Sequence, residues 1–324
     1  MGFGQVFSQE RYMRILAGLV LVLACMAQAA SDRVMPHVSG YSSTASGQYV
    51  QGTTEKWLHG LPSIVCWGDS LTSASYPRIL AKLTGRPVTS RGVGGNTSAQ
   101  IAARQGGRPT YMTFVGGRIP ASGAVRVESF TVTPMGIYGK QVITGRIGGV
   151  EGELRRLSQE TYEFIRSAPG AAVEVPVALP FIPDVGETDF EIAVIWAGRN
   201  NYDEPAQVLS DVRAMVEFLK PLNKRFVVLS PPNGNYRDEY MGAPNYHYFV
   251  EIRDGLRNAY PNNFLDVWQL LVQSYDPSDP RDVADYQKGI PPHSLRDDDI
   301  HLNEAGNRKV AEWVRDYLIG FKGY

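Results

Sequence analysis

Within the 324 residues, the stretch Ile64-Val65-Cys66-Trp67-Gly68-Asp69-Ser70-Leu71-Thr72 leaves a hydroxyl where it could attack a substrate. Four residues suited to a buried strand run into Gly-Asp-Ser, where glycine permits a turn and Ser70 sits at its tip, just before the helix-like segment 74–83. The plain reading of such a serine is a helix cap. Three further blocks argue for more: Arg91-Gly92-Val93-Gly94-Gly95-Asn96-Thr97-Ser98, then Ala197-Gly198-Arg199-Asn200-Asn201 after a strand, then Asp298-Asp299-Ile300-His301-Leu302-Asn303. A serine becomes a useful nucleophile when a base takes its proton, and an imidazole can both take and return one near neutrality. Of the five histidines, His37 and His59 fall in a tether-like region, His247 opens a helix and His293 sits in a Pro-rich loop. His301 alone has an acidic residue three positions before it and the helix start Leu-Asn-Glu-Ala-Gly after it. By chemistry alone the run Asp297-Asp298-Asp299 leaves the identity of its carboxylate partner open.

These blocks, in this order and with these flanking elements, resemble the SGNH (GDSL) hydrolase family, named for its Ser, Gly, Asn and His blocks. The resemblance covers 64–96 and 190–321, and it implies a serine esterase with Ser70 as nucleophile and His301 as base. The family's Asp-x-x-His block selects Asp298 to orient the imidazole and stabilise its protonated form, leaving Asp297 and Asp299 as solvated neighbours or caps. The oxyanion hole it implies consists of the backbone N–H groups of Ser70 and Gly95 and the side-chain amide of Asn200. Gly95 is chosen over Gly92 and Gly94 because it directly precedes Asn96-Thr97-Ser98, matching the family's Gly-x-Thr-Ser. Asn201 stands where an aspartate is common and Arg91 where an asparagine is usual, which puts the supporting hydrogen bonds in question. Asp69 reads as a holder of its loop. The Gly-x-Ser-x-Gly elbow of the α/β-hydrolases is absent.

The elements that must position these residues alternate. Strands are expected at 64–67, 87–90, 192–197, 225–230 and 264–268, and helices at 76–84, 97–105, 205–222, 247–259 and 305–319. Such alternation calls for a parallel sheet covered on both faces, with the reactive groups at the carboxyl ends of the strands. The expected fold class is therefore α/β: a three-layer α/β/α arrangement around a mostly parallel five-stranded sheet, SGNH or flavodoxin-like. One stretch breaks the rhythm. Gly95 and Gly198 are 103 positions apart, and short alternating runs at 124–127, 152–154, 162–166 and 172–175, separated by Gly and Pro, predict a small β-rich insertion over 108–187. Ser167-Ala168-Pro169-Gly170 reads as a hairpin turn within it. A substrate-holding module, a lid and a stabiliser of the fold are equally open roles for this insertion.

Bulk properties narrow the classes. Hydrophobic content of 43% and charged content of 20% are those of a globular protein, and a net charge of -1 gives no long-range pull towards nucleic acid. Arg11 and Arg14 precede an apolar run at 15–26, too short to span a bilayer comfortably, and Ala27-Gln28-Ala29 offers a cleavage site. This predicts a signal peptide over 1–29, starting at Met1 or Met13, then a linker over 30–60 docked by Trp57 and Leu58, then the hydrolase domain over 61–324. The expected location is secreted or periplasmic, with no stable membrane span after cleavage near Ala29. A lipoprotein signal at Cys25 fits poorly because of the bulky Leu23. Cleavage would leave Cys66 alone, a small buried hydrophobe outside any disulfide framework. No Cys or His cluster has metal-ligand spacing, so neither metal nor cofactor is expected. The sequence thus points to an exported esterase that removes short acyl groups, above all O-acetyl, from a carbohydrate. Export, the β insertion and the aromatic residues Trp67, Tyr202, Tyr236 and Tyr240 near the expected site favour a sugar over a lipid. A lipase or thioesterase on longer chains is the enzymatic alternative, and a polysaccharide-binding protein without turnover the non-enzymatic one.

Overall fold

A computed structural model describes residues 61–136, 141–158, 160–186, 191–220 and 223–324. The leader at 1–29, the linker at 30–60 and the choice among Met1, Met13 and Cys25 lie outside the described residues.

The strands open with β1 (Ile64–Gly68) and β2 (Val88–Gly92). Eight more follow before the sheet resumes: β3 (Thr110–Phe114), β4 (Arg118–Ile119), β5 (Ala124–Phe130), β6 (Val142–Ile147), β7 (Val150–Arg156), β8 (Tyr162–Arg166), β9 (Val173–Glu174) and β10 (Leu179–Pro183). The last three are β11 (Ile192–Trp196), β12 (Phe226–Leu229) and β13 (Phe264–Leu265). The α-helices are α1 (Ser70–Ser73), α2 (Tyr76–Thr84), α3 (Ser98–Gln105), α4 (Pro205–Phe218), α5 (Tyr246–Ala259), α6 (Val267–Gln273), α7 (Pro280–Lys288) and α8 (Glu304–Arg315).

A five-stranded sheet in the order β13-β12-β11-β1-β2 pairs in parallel throughout. Alternate side chains of a strand point to opposite faces, and β1 shows the consequence. Ile64 and Cys66 pack with Leu80 of α2, Leu271 of α6 and Val310 of α8, whereas Val65 and Trp67 pack with Ile101 of α3, Val212 of α4 and Ile252 of α5. Helices therefore cover both faces. Edge strand β2, Val-Thr-Ser-Arg-Gly, is the polar and half-exposed member.

Two expected elements end early. The strand expected at 264–268 stops at Leu265, because Asp266 caps α6 by accepting from the Gln269 N–H at 3.2 Å and Trp268 is buried on that helix. The helix expected at 205–222 stops at Phe218, with Lys220 preceding Pro221, a position that disfavours helix. Helix α7 was unforeseen, although Asp279 as N-cap, Pro280 in the first turn and left-handed Gly289 at its end are ordinary start and stop signals.

Between the two halves of the sheet, β10-β3-β5-β8-β7-β6 close into an antiparallel six-stranded barrel around Met112, Phe114, Leu154, Phe164 and Phe181. Closure leaves these strands without a free edge. The turn at 167–170 does not join a hairpin: β8 pairs with β5 and β7, while β9 pairs with β4. Arg166 fixes that turn instead, donating to the carbonyls of Ala168, Pro120 and Ala171 at 2.7, 2.9 and 3.0 Å. The barrel meets the sheet through residues 131–136, where the Gln100 side chain of α3 donates to the Met135 carbonyl at 3.0 Å and Arg156 of β7 donates to the Gly136 carbonyl at 2.7 Å. Among the described residues no helix is long and apolar enough to cross a membrane.

Candidate active site

Strand β1 ends in a turn that Asp69 holds by accepting from the Leu71 N–H at 2.9 Å, capping α1. That contact starts the short helix at Ser70 and leaves the serine side chain at the carboxyl edge of the sheet. Burial drives the Asp69 carboxyl up to about 6, against the pull of the Leu71 N–H and of Arg199 and His301. Nearby Cys66 lies inside the core, where burial pushes its thiol up to about 12. A thiol so disfavoured as thiolate is no nucleophile.

His301 arrives by a different route. It does not follow a strand but sits in the loop before α8, which an isolated bridge between Arg296 and Leu302 closes. Its Nε2 lies 2.9 Å from Ser70 Oγ and its Nδ1 2.7 Å from Asp298 Oδ2. A carboxylate only accepts, so Nδ1–H donates to Asp298 and the neutral ring's Nε2 accepts from the Ser70 hydroxyl. Burial works to raise the Asp298 carboxyl, but the His301 N–H, the imidazole and the Ile300 N–H outweigh it and hold it at about 2. Asp298 is thus an anion across the working range of most hydrolases. Asp299 does not join that line but accepts from the Asn235 side-chain amide at 2.9 Å, and the Asp297 N–H donates to the His301 carbonyl at 2.8 Å.

Gly95, in the loop after β2, has φ +72°, a left-handed conformation that a side chain would strain. Among the described residues, neither its N–H nor that of Ser70 takes part in the backbone hydrogen bonds of turns, loops and caps. Asn200 lies in a 3₁₀ turn after β11, and its amide donates once to the Asn96 carbonyl at 2.9 Å. An amide has two N–H donors, so one remains to point outwards.

The two departures from the family pattern find partners. Asn201 accepts from the Ser98 N–H and donates to its Oγ, both at 3.0 Å, and Ser98 Oγ in turn donates to buried Asp211 at 2.7 Å. Arg91 leans over the Trp67 ring and donates to the Val185 carbonyl at 3.3 Å, tying the sheet edge to the chain leaving the barrel.

Sequence reasoning missed three supports. Buried Arg104 donates to Asn96 Oδ1 at 2.7 Å, the Arg91 carbonyl at 2.9 Å and the Gly68 carbonyl at 3.0 Å, lashing the end of β1 to the Gly95 loop. Asn307 of α8 accepts from the Tyr76 N–H at 3.1 Å and donates to the Leu302 carbonyl at 2.7 Å, buttoning the His301 loop onto α2 behind Ser70. Arg199 and Glu239 form a buried ion pair at 3.0 Å beneath the 233–240 loop. All three bridge distant parts of the chain and leave no local signal. Of the four aromatic residues noted in the sequence, Trp67 is buried, Tyr202 stacks on Phe249 and Tyr240 donates to Asn235 Oδ1, while Tyr236 is exposed.

The four blocks that carry the likeness in the sequence meet at one end of the sheet. The chain resembles the SGNH (GDSL) hydrolases. No protein-family model matches it. It is 28% identical over 272 residues to the tail spike protein of Salmonella phage epsilon15, a match that takes in 75% of this chain but 25% of the relative, so the chain spans about a quarter of that protein's length. Among solved structures it is similar to an acetyl xylan esterase (TM-score 0.45, 14% identity, 79% of this chain and 100% of that one). It is also similar to a GDSL-like lipase from Bacteroides thetaiotaomicron (TM-score 0.43, 11% identity, 84% of this chain and 93% of that one).

Proposed function

We propose that the chain is a serine ester hydrolase acting through an acyl-enzyme. The observation that carries this reading is the continuous line of hydrogen bonds from Asp298 through His301 to the Ser70 hydroxyl. Ser70 Oγ attacks the acyl carbon while its proton passes to His301 Nε2, and Asp298 stabilises the imidazolium. The carbonyl oxygen, now negative, is received by the N–H groups of Ser70 and Gly95 and the free N–H of Asn200. His301 then gives its proton to the departing alkoxide, and water, deprotonated by the same imidazole, cleaves the acyl group from Ser70.

The substrate we assign is a short acyl ester, O-acetyl on a carbohydrate above all, with 61–324 as the hydrolase domain and 108–187 as its insertion. The reaction needs neither metal nor cofactor. An exported enzyme cleaved near Ala29 is the setting that the basic and apolar N-terminal pattern supports. The tail spike likeness supports a second setting, the same hydrolytic unit carried on a virion with its N-terminus uncut. The mass of the N-terminal peptide separates the two.

The enzymatic reading is tested by offering p-nitrophenyl esters of two to twelve carbons, then acetylated polysaccharides, to the protein and to its Ser70→Ala variant. Acetyl release by the parent and a loss of about four orders of magnitude or more in the variant are expected. Preference for long chains would move the assignment to a lipase or thioesterase. Equal behaviour of the two proteins would leave a polysaccharide-binding protein.

A further inference from the structure

The rim beside Asp298 is built by the 233–240 loop, and its hydrogen bonds leave one aromatic ring facing out. The Gly234 N–H donates to Glu239 Oε2 at 2.6 Å, and Asn233 Nδ2 donates to the Glu239 carbonyl at 2.9 Å. Tyr240 donates its hydroxyl to Asn235 Oδ1 at 2.7 Å, and the Asn235 N–H and side-chain amide donate to the carbonyl and carboxylate of Asp299 at 2.8 and 2.9 Å. The loop is thus latched to the residue next to Asp298. Beneath it, the Arg199 guanidinium is 5% exposed, paired with Glu239, and lies over the rings of Tyr202, Phe249 and Tyr236 at 5.3, 5.4 and 5.9 Å. One side of the Tyr236 ring is therefore backed by a buried cation, yet the residue stays 38% exposed, and the charges of both Asp298 and Asp299 reach it.

We infer that Tyr236 is a stacking platform for a pyranose ring of the ester-bearing substrate, with the exposed Asp299 carboxylate as acceptor for one of that ring's hydroxyls. This rests on the esterase reading above and goes beyond it by naming the groups that would hold the sugar. A pyranose has an apolar C–H face and a polar edge. An aromatic face with a carboxylate beside it matches both. Because the ring is already held by Arg199 and by the latched loop, little rotamer freedom is lost on binding. A long acyl chain would use the aromatic surface but gain nothing from an anionic acceptor next to it.

The test compares two substrates of the full-length protein, p-nitrophenyl acetate and mono-O-acetylated xylotriose, with Tyr236→Ala, Tyr236→Phe and Asp299→Asn. For Tyr236→Ala the ratio of kcat/KM on the trisaccharide ester to that on p-nitrophenyl acetate should fall about tenfold, through KM, in line with the worth of an aromatic contact. Tyr236→Phe should restore that ratio to within about twofold of the parent, because the face is kept and only the hydroxyl is lost. Asp299→Asn should lower it several-fold. An unchanged ratio in Tyr236→Ala, or a parent that cleaves p-nitrophenyl acetate but not the sugar ester, overturns the platform and leaves the esterase standing. A parent that cleaves neither overturns both.

Discussion

At the scale of single residues, Asp69 and Asn200 make the sharpest predictions. The folded protein holds the Asp69 proton more tightly than the unfolded chain does, with a pKa of about 6 against an ordinary value of 3.8. This contribution to stability is therefore greatest below the unfolded value and is lost as pH rises through about 6. At pH 8 the buried carboxylate costs on the order of 3 kcal/mol. Asp69→Asn keeps an oxygen to accept from Leu71 but carries no charge, so it should raise Tm by about 5 °C at pH 8 and by nothing measurable below pH 4. Calorimetry across that range checks the sign. Asn200→Ala removes one proposed oxyanion donor and should lower kcat about a hundredfold with KM little changed; activity near that of the parent would remove Asn200 from the mechanism. The individual positions that the sequence made legible are those whose blocks are contiguous. Hydrogen bonds join Ser70, His301 and Asp298 in one line, and Asn200 donates to the Asn96 carbonyl, next to Gly95. Arg104, Asn307 and the Arg199–Glu239 pair were not legible, because each works through partners far away along the chain.

At the scale of elements, the chain between the barrel and the sheet packs tightly at Gly136. A Cβ placed on Gly136 would stand 2.9 Å from the Gly94 carbonyl and 3.1 Å from Asn96 Nδ2. Those groups belong to the loop that aims the Gly95 N–H, and displacements well under an ångström there are felt in turnover. Gly136→Ala should accordingly lower kcat about tenfold while KM on a small ester stays within about twofold, and steady-state kinetics with p-nitrophenyl acetate would show it. Equal rates would mean that the barrel touches the loop without aiming it. Elements with their own periodicity or caps were readable: β8 falls at 162–166 as its alternation predicts, and α3 opens with Thr97 and Gln100 in a reciprocal cap. Strand partners were not. Alternation says which face of a strand is buried but not which strand lies beside it, so the β runs carry no hint that six strands close on themselves.

At the scale of the whole molecule, Ser70 and His301 stand 231 positions apart and are joined by helix packing rather than by local sequence. Asn307 is the fastener. Asn307→Ala would strip the Tyr76 N–H of its buried acceptor and the Leu302 carbonyl of its side-chain donor, at a cost of about 2–3 kcal/mol. A Tm about 5 °C lower is expected, and an unshifted melting curve would show that α2 and α8 stay together without it. The arrangement also bears on how the protein is made. As the polypeptide leaves the ribosome, the hydroxyl appears before the barrel and most of the sheet and remains unpaired through their synthesis. Its imidazole emerges 231 residues later, so a nascent chain cannot assemble the Asp298–His301–Ser70 line until that loop and the helix after it dock.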